Sequence, residues 1–176
     1  PNPGDNSFET LNNYSKPCNV DVFFALSHGV HRGVLKSGKI DDRINFLKQL
    51  SEKTPDVKFD IYGIDKVQPI WADHYFKTIS NAKMGLNLSR GNAIKYYSSD
   101  RITQIVGNGL VCLIDEKTQY RNFFDNNEMV FYKNINDLSE KIFKISRDEK
   151  LRKSIGRNGK KKYMKYFNST LVAEFI

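Results

Sequence analysis

The sequence lacks what a membrane span, a disulfide scaffold or a metal cluster would need. No apolar run approaches the roughly 20 residues that cross a bilayer. The longest, residues 20–26 and 110–114, are of strand length. Two cysteines, Cys18 and Cys112, have no metal spacing and are too few for a disulfide framework. Cys112 stands in an apolar run as a core residue would, and the pair suits a reducing, cytoplasmic setting. Acidic residues are in deficit, 20 against 28 Lys and Arg, for a net charge of +8. That balance favours anionic partners without choosing among phosphates, nucleic acid and a membrane surface. Neither a Walker loop nor a dinucleotide glycine fingerprint is present. No Ser-His-Asp or Cys-His arrangement and no paired carboxylates stand out, so no catalytic residue is assigned. An initiator Met is missing before Pro1-Asn2-Pro3-Gly4, and the chain reads as a piece of a longer protein.

What is present is a folded domain. The chain has 176 residues, 39% hydrophobic and 12% aromatic, enough to bury a core. Residues 1–18, rich in Pro, Asn, Gly and Ser, read as an interdomain linker or lead-in, and 19–176 as one domain. Five strand-like runs follow, at 20–26, 58–63, 84–88, 110–114 and 129–132. Helical spacing falls between or after them. Ile44, Leu47 and Leu50 recur after Asp42; 71–82 is a shorter candidate; 100–106 opens on Ser98-Ser99-Asp100. Leu138, Ile142 and Ile145 follow Asn136-Asp137, and a last helix starts near Asp148. Strands alternating with helices predict a doubly wound, Rossmann-like α/β domain with a parallel sheet. Such sheets bind ligands outside the carboxyl ends of their strands, which directs attention to the segments after 26, 62, 88 and 114.

After the first strand, Ser27-His28-Gly29-Val30-His31-Arg32-Gly33 leads to Lys36, Lys39 and Arg43. Gly29 lets backbone approach a ligand, and Arg32 with the other cations suits a diphosphate; the alternative is a solvated basic loop. His28 and His31 have no further ligands at metal spacing, so no metal is expected. After the second strand, Tyr62 and Gly63 leave room for a flat ring or a ribose, or form an ordinary turn. After the third come Ser89, Arg90 and Asn92, then Tyr97, Ser98, Ser99, Asp100, Arg101 and Gln104. A polar helix start offers N–H groups and a positive dipole end to a phosphate, and Arg101 adds a fork of donors. Gln104 lies one turn on, within reach of a sugar hydroxyl. Ser99 or Asp100 also suits an N-cap, and the two roles are compatible. In the tail, Lys150, Arg152, Lys153, Arg157, Lys160, Lys161, Lys162 and Lys165 interleave with Leu151, Ile155, Tyr163 and Tyr166. That is foremost the solvated face of an amphipathic helix. A peripheral contact at the inner face of a membrane is the lesser reading; nucleic acid is not expected, for want of a binding module.

Three stretches together resemble the C-terminal domain of GT-B fold glycosyltransferases, specifically the group 1, spore-maturation-protein-like branch. Pro1-Asn2-Pro3-Gly4-Asp5-Asn6-Ser7-Phe8 looks like the family's segment between its two domains. The basic loop after the first strand matches the position that holds donor phosphates. Asn87 to Ile114 looks like the family's stretch with two glutamates seven residues apart, and Leu151-Arg152-Lys153-x-Ile155-Gly156 like its ending. The two glutamate positions fall on Tyr97 and Gln104 here, while Arg101 and Gln104 fit the branch's Arg and Glu three residues apart. A fainter likeness to α1,3-fucosyltransferases covers Lys83 to Asn87. The resemblance implies a transferase that binds a nucleoside-diphosphate sugar without a metal or other cofactor. Gly29, Arg32, Lys36, Lys39, Tyr62, Gly63, Arg90, Tyr97, Ser98, Ser99, Asp100, Arg101 and Gln104 would line the donor site, with Gln104 on the ribose. The acceptor, a glycan, lipid or protein, would be held by an N-terminal domain outside this chain. Tyr97 and Gln104 keep open a second expectation, a non-catalytic nucleotide- or anion-binding module.

Overall fold

The computed structural model describes residues 2–26 and 42–174. Among the described residues the order is β1 (Val20–Ala25), α1 (Asp42–Lys53), β2 (Phe59–Tyr62), α2 (Ala72–Ile79), β3 (Ala82–Asn87), α3 (Asp100–Gly107), β4 (Val111–Asp115), β5 (Val130–Tyr132), α4 (Ile135–Arg147), α5 (Glu149–Tyr166) and α6 (Ser169–Glu174), with strands and helices alternating up to β4. The strands form one parallel sheet in the order β2-β1-β3-β4-β5. Val22 is in register with Phe59 on one side and Met84 on the other, and Met84 with Val111 beyond it.

The near-continuous apolar runs are explained by burial on both faces, as a parallel sheet requires. Successive side chains of a strand point to opposite faces. Val22 and Phe24 of β1 and Val111 and Leu113 of β4 therefore pack with Leu47, Leu50, Leu138 and Ile142 of α1 and α4. Phe23, Cys112 and Ile114 face the other way, onto Ile79 of α2, Ile102 and Ile105 of α3, and Tyr163 of α5. Fourteen or more such side chains per face suit a stable domain of this length.

Two expectations about elements change, and one helix is new. The candidate helix at 71–82 is only α2, because Trp71 is extended and Ser80 ends the helix, and Ala82 belongs to β3. Helix α4 starts before Asn136-Asp137: the Asn134 side chain accepts from the N–H groups of Asn136 and Asp137, satisfying donors at the helix start. Helix α6 has no counterpart in the sequence reading.

Residues 2–18 are fastened to the domain. Asn13 Nδ2 donates to the carbonyls of Ile79 and Ala82, both at 2.8 Å. Arg152, 1% exposed, donates to the carbonyls of Asn13 and Lys16 at 2.9 Å and forks onto Glu149. Lys160 holds the carbonyls of Glu9 and Leu11. A β-bridge joins Gly4 to Asn168.

Candidate functional site

In the order β2-β1-β3-β4-β5 the chain leaves β1 toward one edge to form β2, and proceeds from β3 toward the other. The connections diverge between β1 and β3, and a crevice opens there at the carboxyl ends of the strands. A cleft of about 730 Å³ occupies that place. Ala25 and Leu26, at the carboxyl end of β1, line it together with Arg43 and Arg101 from the first turns of α1 and α3. Trp71, Tyr75 and Phe76 of the α2 region, and Ser89, Arg90, Asn92, Ile94 and Tyr97 from the segment between β3 and α3, complete the lining.

Helix α3 reaches this point because Gly85 of β3 lets it lie close: a Cβ there would stand 2.4 Å from the Ile105 side chain. Ser99 occupies the N-cap, but its hydroxyl makes no capping bond; it donates instead to Asn87 Oδ1 at 3.2 Å. Arg101 runs along the sheet edge. Its Nε donates to the carbonyl of Ala25, its Nη1 to Asn87 Oδ1 and the carbonyl of Leu88, each at 3.4 Å, and its guanidinium lies over the Phe24 ring at 5.2 Å. Burial pushes the Arg101 guanidinium below its ordinary pKa, and the positive charge of Arg43, itself 5% exposed, pushes the same way. Two arginines thus share one cleft at the positive end of a helix. Beside them, Tyr75 donates to Gln104 Oε1 at 2.6 Å. Burial raises the Tyr75 phenol above its ordinary pKa, so it stays protonated and able to donate.

The expected donor-site residues separate into three groups. Arg90, Tyr97, Ser99, Asp100, Arg101 and Gln104 converge on the cleft. Gly29, Arg32, Lys36 and Lys39, with His28 and His31, lie outside the described residues. Ser98, Tyr62 and Gly63 do not line this cleft. Ser98 Oγ accepts from the backbone of Asn2 at 2.7 Å and serves the lead-in. Tyr62 packs edge-on against His74 at 6.3 Å. Gly63 has φ at +76°, and a Cβ there would meet the Leu26 carbonyl oxygen at 1.8 Å. Its role is the close crossing of two strand ends. Arg101, expected to add a fork of donors to the site, uses part of it on the strand ends. Tyr75, Trp71 and Phe76 were missed, since the pairing of Tyr75 with Gln104 spans 29 residues and has no local signal. Among the described residues no three His, Cys, Asp or Glu side chains gather as a metal site.

No curated protein matches the chain. Solved structures share its fold at low identity. A variant of TarM from S. aureus, in complex with fondaparinux, alpha-GlcNAc-glycerol and UDP, is 14% identical with a TM-score of 0.64 over 90% of this chain and 35% of that one. Sucrose-phosphate synthase from Thermosynechococcus elongatus is 13% identical with a TM-score of 0.58, over 92% and 45%. The chain therefore spans less than half the length of these structures. Residues 43–176, most of the chain, match the glycosyl transferase-like sequence family. With the five-stranded parallel sheet and the shared fold, this shows that the chain belongs to the glycosyl transferase-like family, as a Rossmann-like domain of the GT-B kind.

Proposed function

We propose that the cleft between β1 and β3 binds the nucleoside-diphosphate part of a sugar donor, and that the chain is the donor-binding half of a two-domain transferase. The observation that carries this reading is the pair Arg43 and Arg101 lining one cleft at the start of α3. When a sugar leaves its nucleotide, the bond between the anomeric carbon and the terminal phosphate oxygen breaks, and negative charge grows on the departing diphosphate. Fixed cations and helix N–H groups stabilise that charge without reorganising, so the reading needs no metal ion. Gln104, placed one turn into α3, holds the ribose through its amide N–H, because its oxygen already accepts from Tyr75. Trp71 and Tyr97, 61% and 47% exposed at the mouth, offer flat surfaces to the base or sugar. The acceptor, a glycan, lipid or protein, and any general base belong to a partner domain. A cytoplasmic, reducing setting suits the buried thiols Cys18 and Cys112.

The second reading, a domain that binds nucleotides or anions without transfer, is favoured by one observation: Gln104 is neutral and its acceptor oxygen is occupied. Calorimetric titration with UDP, GDP, ADP, CDP and inorganic pyrophosphate separates the candidates. The donor reading predicts one base bound at least about tenfold more tightly than the rest, and weakened by Arg101→Ala. Equal, salt-labile binding of all five would overturn it in favour of a general anion site.

A further inference from the structure

Eight cations punctuate α5, and from Lys150 to Tyr166 the chain carries no Asp or Glu. The structure divides them into two sets. Four are spent inside the protein: Arg152 on Glu149 and two carbonyls, Lys153 on Glu149 at 3.4 Å, Lys160 on the carbonyls of Glu9 and Leu11, and Lys162 on Glu128 at 2.7 Å. The other four, Lys150, Arg157, Lys161 and Lys165, are exposed, and none has an ion pair among the described residues. At 3.6 residues per turn these four fall within an arc of roughly 80° and form a straight row about 22 Å long. Ser154, also exposed, fills the gap in the row.

Two of the four are held along the surface by ring faces: Arg157 lies over Tyr14 at 5.6 Å and Lys165 over Tyr166 at 4.9 Å. These contacts fix the side chains without neutralising them. Exposed aromatics flank the row. Tyr166 is 54% exposed at its end, and Phe8 is 66% exposed next to Glu9, whose carbonyl Lys160 holds.

We propose that this face of α5 docks on the anionic surface of a lipid bilayer. The row is straight and lies on a rigid, 18-residue helix, so it meets a plane of headgroups along its whole length. A groove that tracks a phosphate backbone would instead place aromatic rings between the cations for bases to stack on. Here the exposed rings, Phe8 and Tyr166, stand at the flanks, where they can enter the headgroup layer. The opposite side of α5 contacts α3, so docking fixes the orientation of the cleft relative to the membrane. The inference rests on this basic face and the rings beside it and does not depend on the donor reading.

The test is co-sedimentation of the full chain with vesicles of phosphatidylcholine, and of phosphatidylcholine with about a third phosphatidylglycerol. Each cation near an anionic leaflet raises partitioning about fivefold. The triple variant Arg157→Gln, Lys161→Gln, Lys165→Gln should therefore partition roughly 100-fold less. The control Lys77→Gln, Lys117→Gln, Lys133→Gln removes the same charge from exposed sites elsewhere and should lose far less. Unchanged thermal melting of both variants establishes that they fold. Binding to the mixed vesicles that is absent with phosphatidylcholine alone, is released by salt and is lost only in the first variant supports the proposal. No binding, equal loss in both variants, or tighter binding to duplex DNA than to the mixed vesicles at the same salt overturns it.

Discussion

Arg101 Nε, in the first turn of α3, donates to the carbonyl oxygen of Ala25, the last residue of β1, at 3.4 Å. The same guanidinium reaches the Leu88 carbonyl just past β3. One side chain thus ties together the two strand ends between which the cleft opens, and also supplies part of its positive charge. The sheet order creates the crevice, and Arg101 contributes to its field.

Replacing Arg101 by Ala should therefore lower both affinity and stability. Nucleoside-diphosphate affinity should fall by about 1.5–3 kcal/mol, the scale of a hydrogen bond to a charged group. Stability should fall by about 1 kcal/mol or somewhat more, as the strand-end carbonyls lose their donor. Arg101→Lys should recover part of the affinity, since it restores the charge without the fork. Calorimetry and thermal melting on the same preparations check both effects. An unchanged melting temperature would mean that the strand-end bonds contribute nothing.

Tyr75→Phe removes one hydroxyl and the 2.6 Å bond that orients Gln104. We expect weaker nucleoside binding by about 1 kcal/mol. In combination with Gln104→Ala the losses should be non-additive, because both changes remove one unit. Additive losses in a double-mutant cycle would show that Tyr75 acts independently of Gln104.

Gly63→Ala forces a Cβ against the Leu26 carbonyl in a left-handed backbone position. The expected cost is about 2–4 kcal/mol, or roughly 5–15 °C in melting temperature for a domain of this size. Thermal denaturation of the variant gives the answer directly, and a shift of a degree or two would contradict the close crossing.

Two carboxylates should oppose each other in acid. The Arg152 hydrogen bond holds Glu149 below its ordinary value of 4.5. Its contribution to stability is present above that value and is lost as pH falls through the lowered folded pKa. Glu9 is raised, chiefly by burial, so its contribution is fullest below its ordinary value and is lost as pH rises through the raised pKa. Glu149→Gln should therefore reduce the loss of stability on acidification, and Glu9→Gln should flatten the decline on the alkaline side of 4.5. Urea denaturation across that pH range measures both slopes.

The sheet was legible because its central strands are largely apolar: in β1, Val22 with Phe24 and Phe23 facing opposite ways put apolar side chains on both faces, as a doubly covered sheet requires. The segments after β1 and β3 followed from that topology, and Arg101 and Gln104 from their place on α3. Long-range partners were not legible. Nothing local distinguishes Gly63 beside Leu26 from a glycine that leaves space, or Ser98 serving Asn2 from a serine facing a ligand. Arg152, 1% exposed, and Arg157, exposed, look alike in a basic tail; burial separates them only once residues 2–18 are seen to lie across α5.

A crystal structure of the chain with the nucleoside diphosphate it binds most tightly decides whether the cleft is the donor site. Phosphate oxygens should lie within about 3 Å of the Arg101 guanidinium or the first N–H groups of α3, with Arg43 facing the same diphosphate. A diphosphate seated elsewhere, such as on the exposed row of α5, with the cleft between β1 and β3 empty, would contradict it.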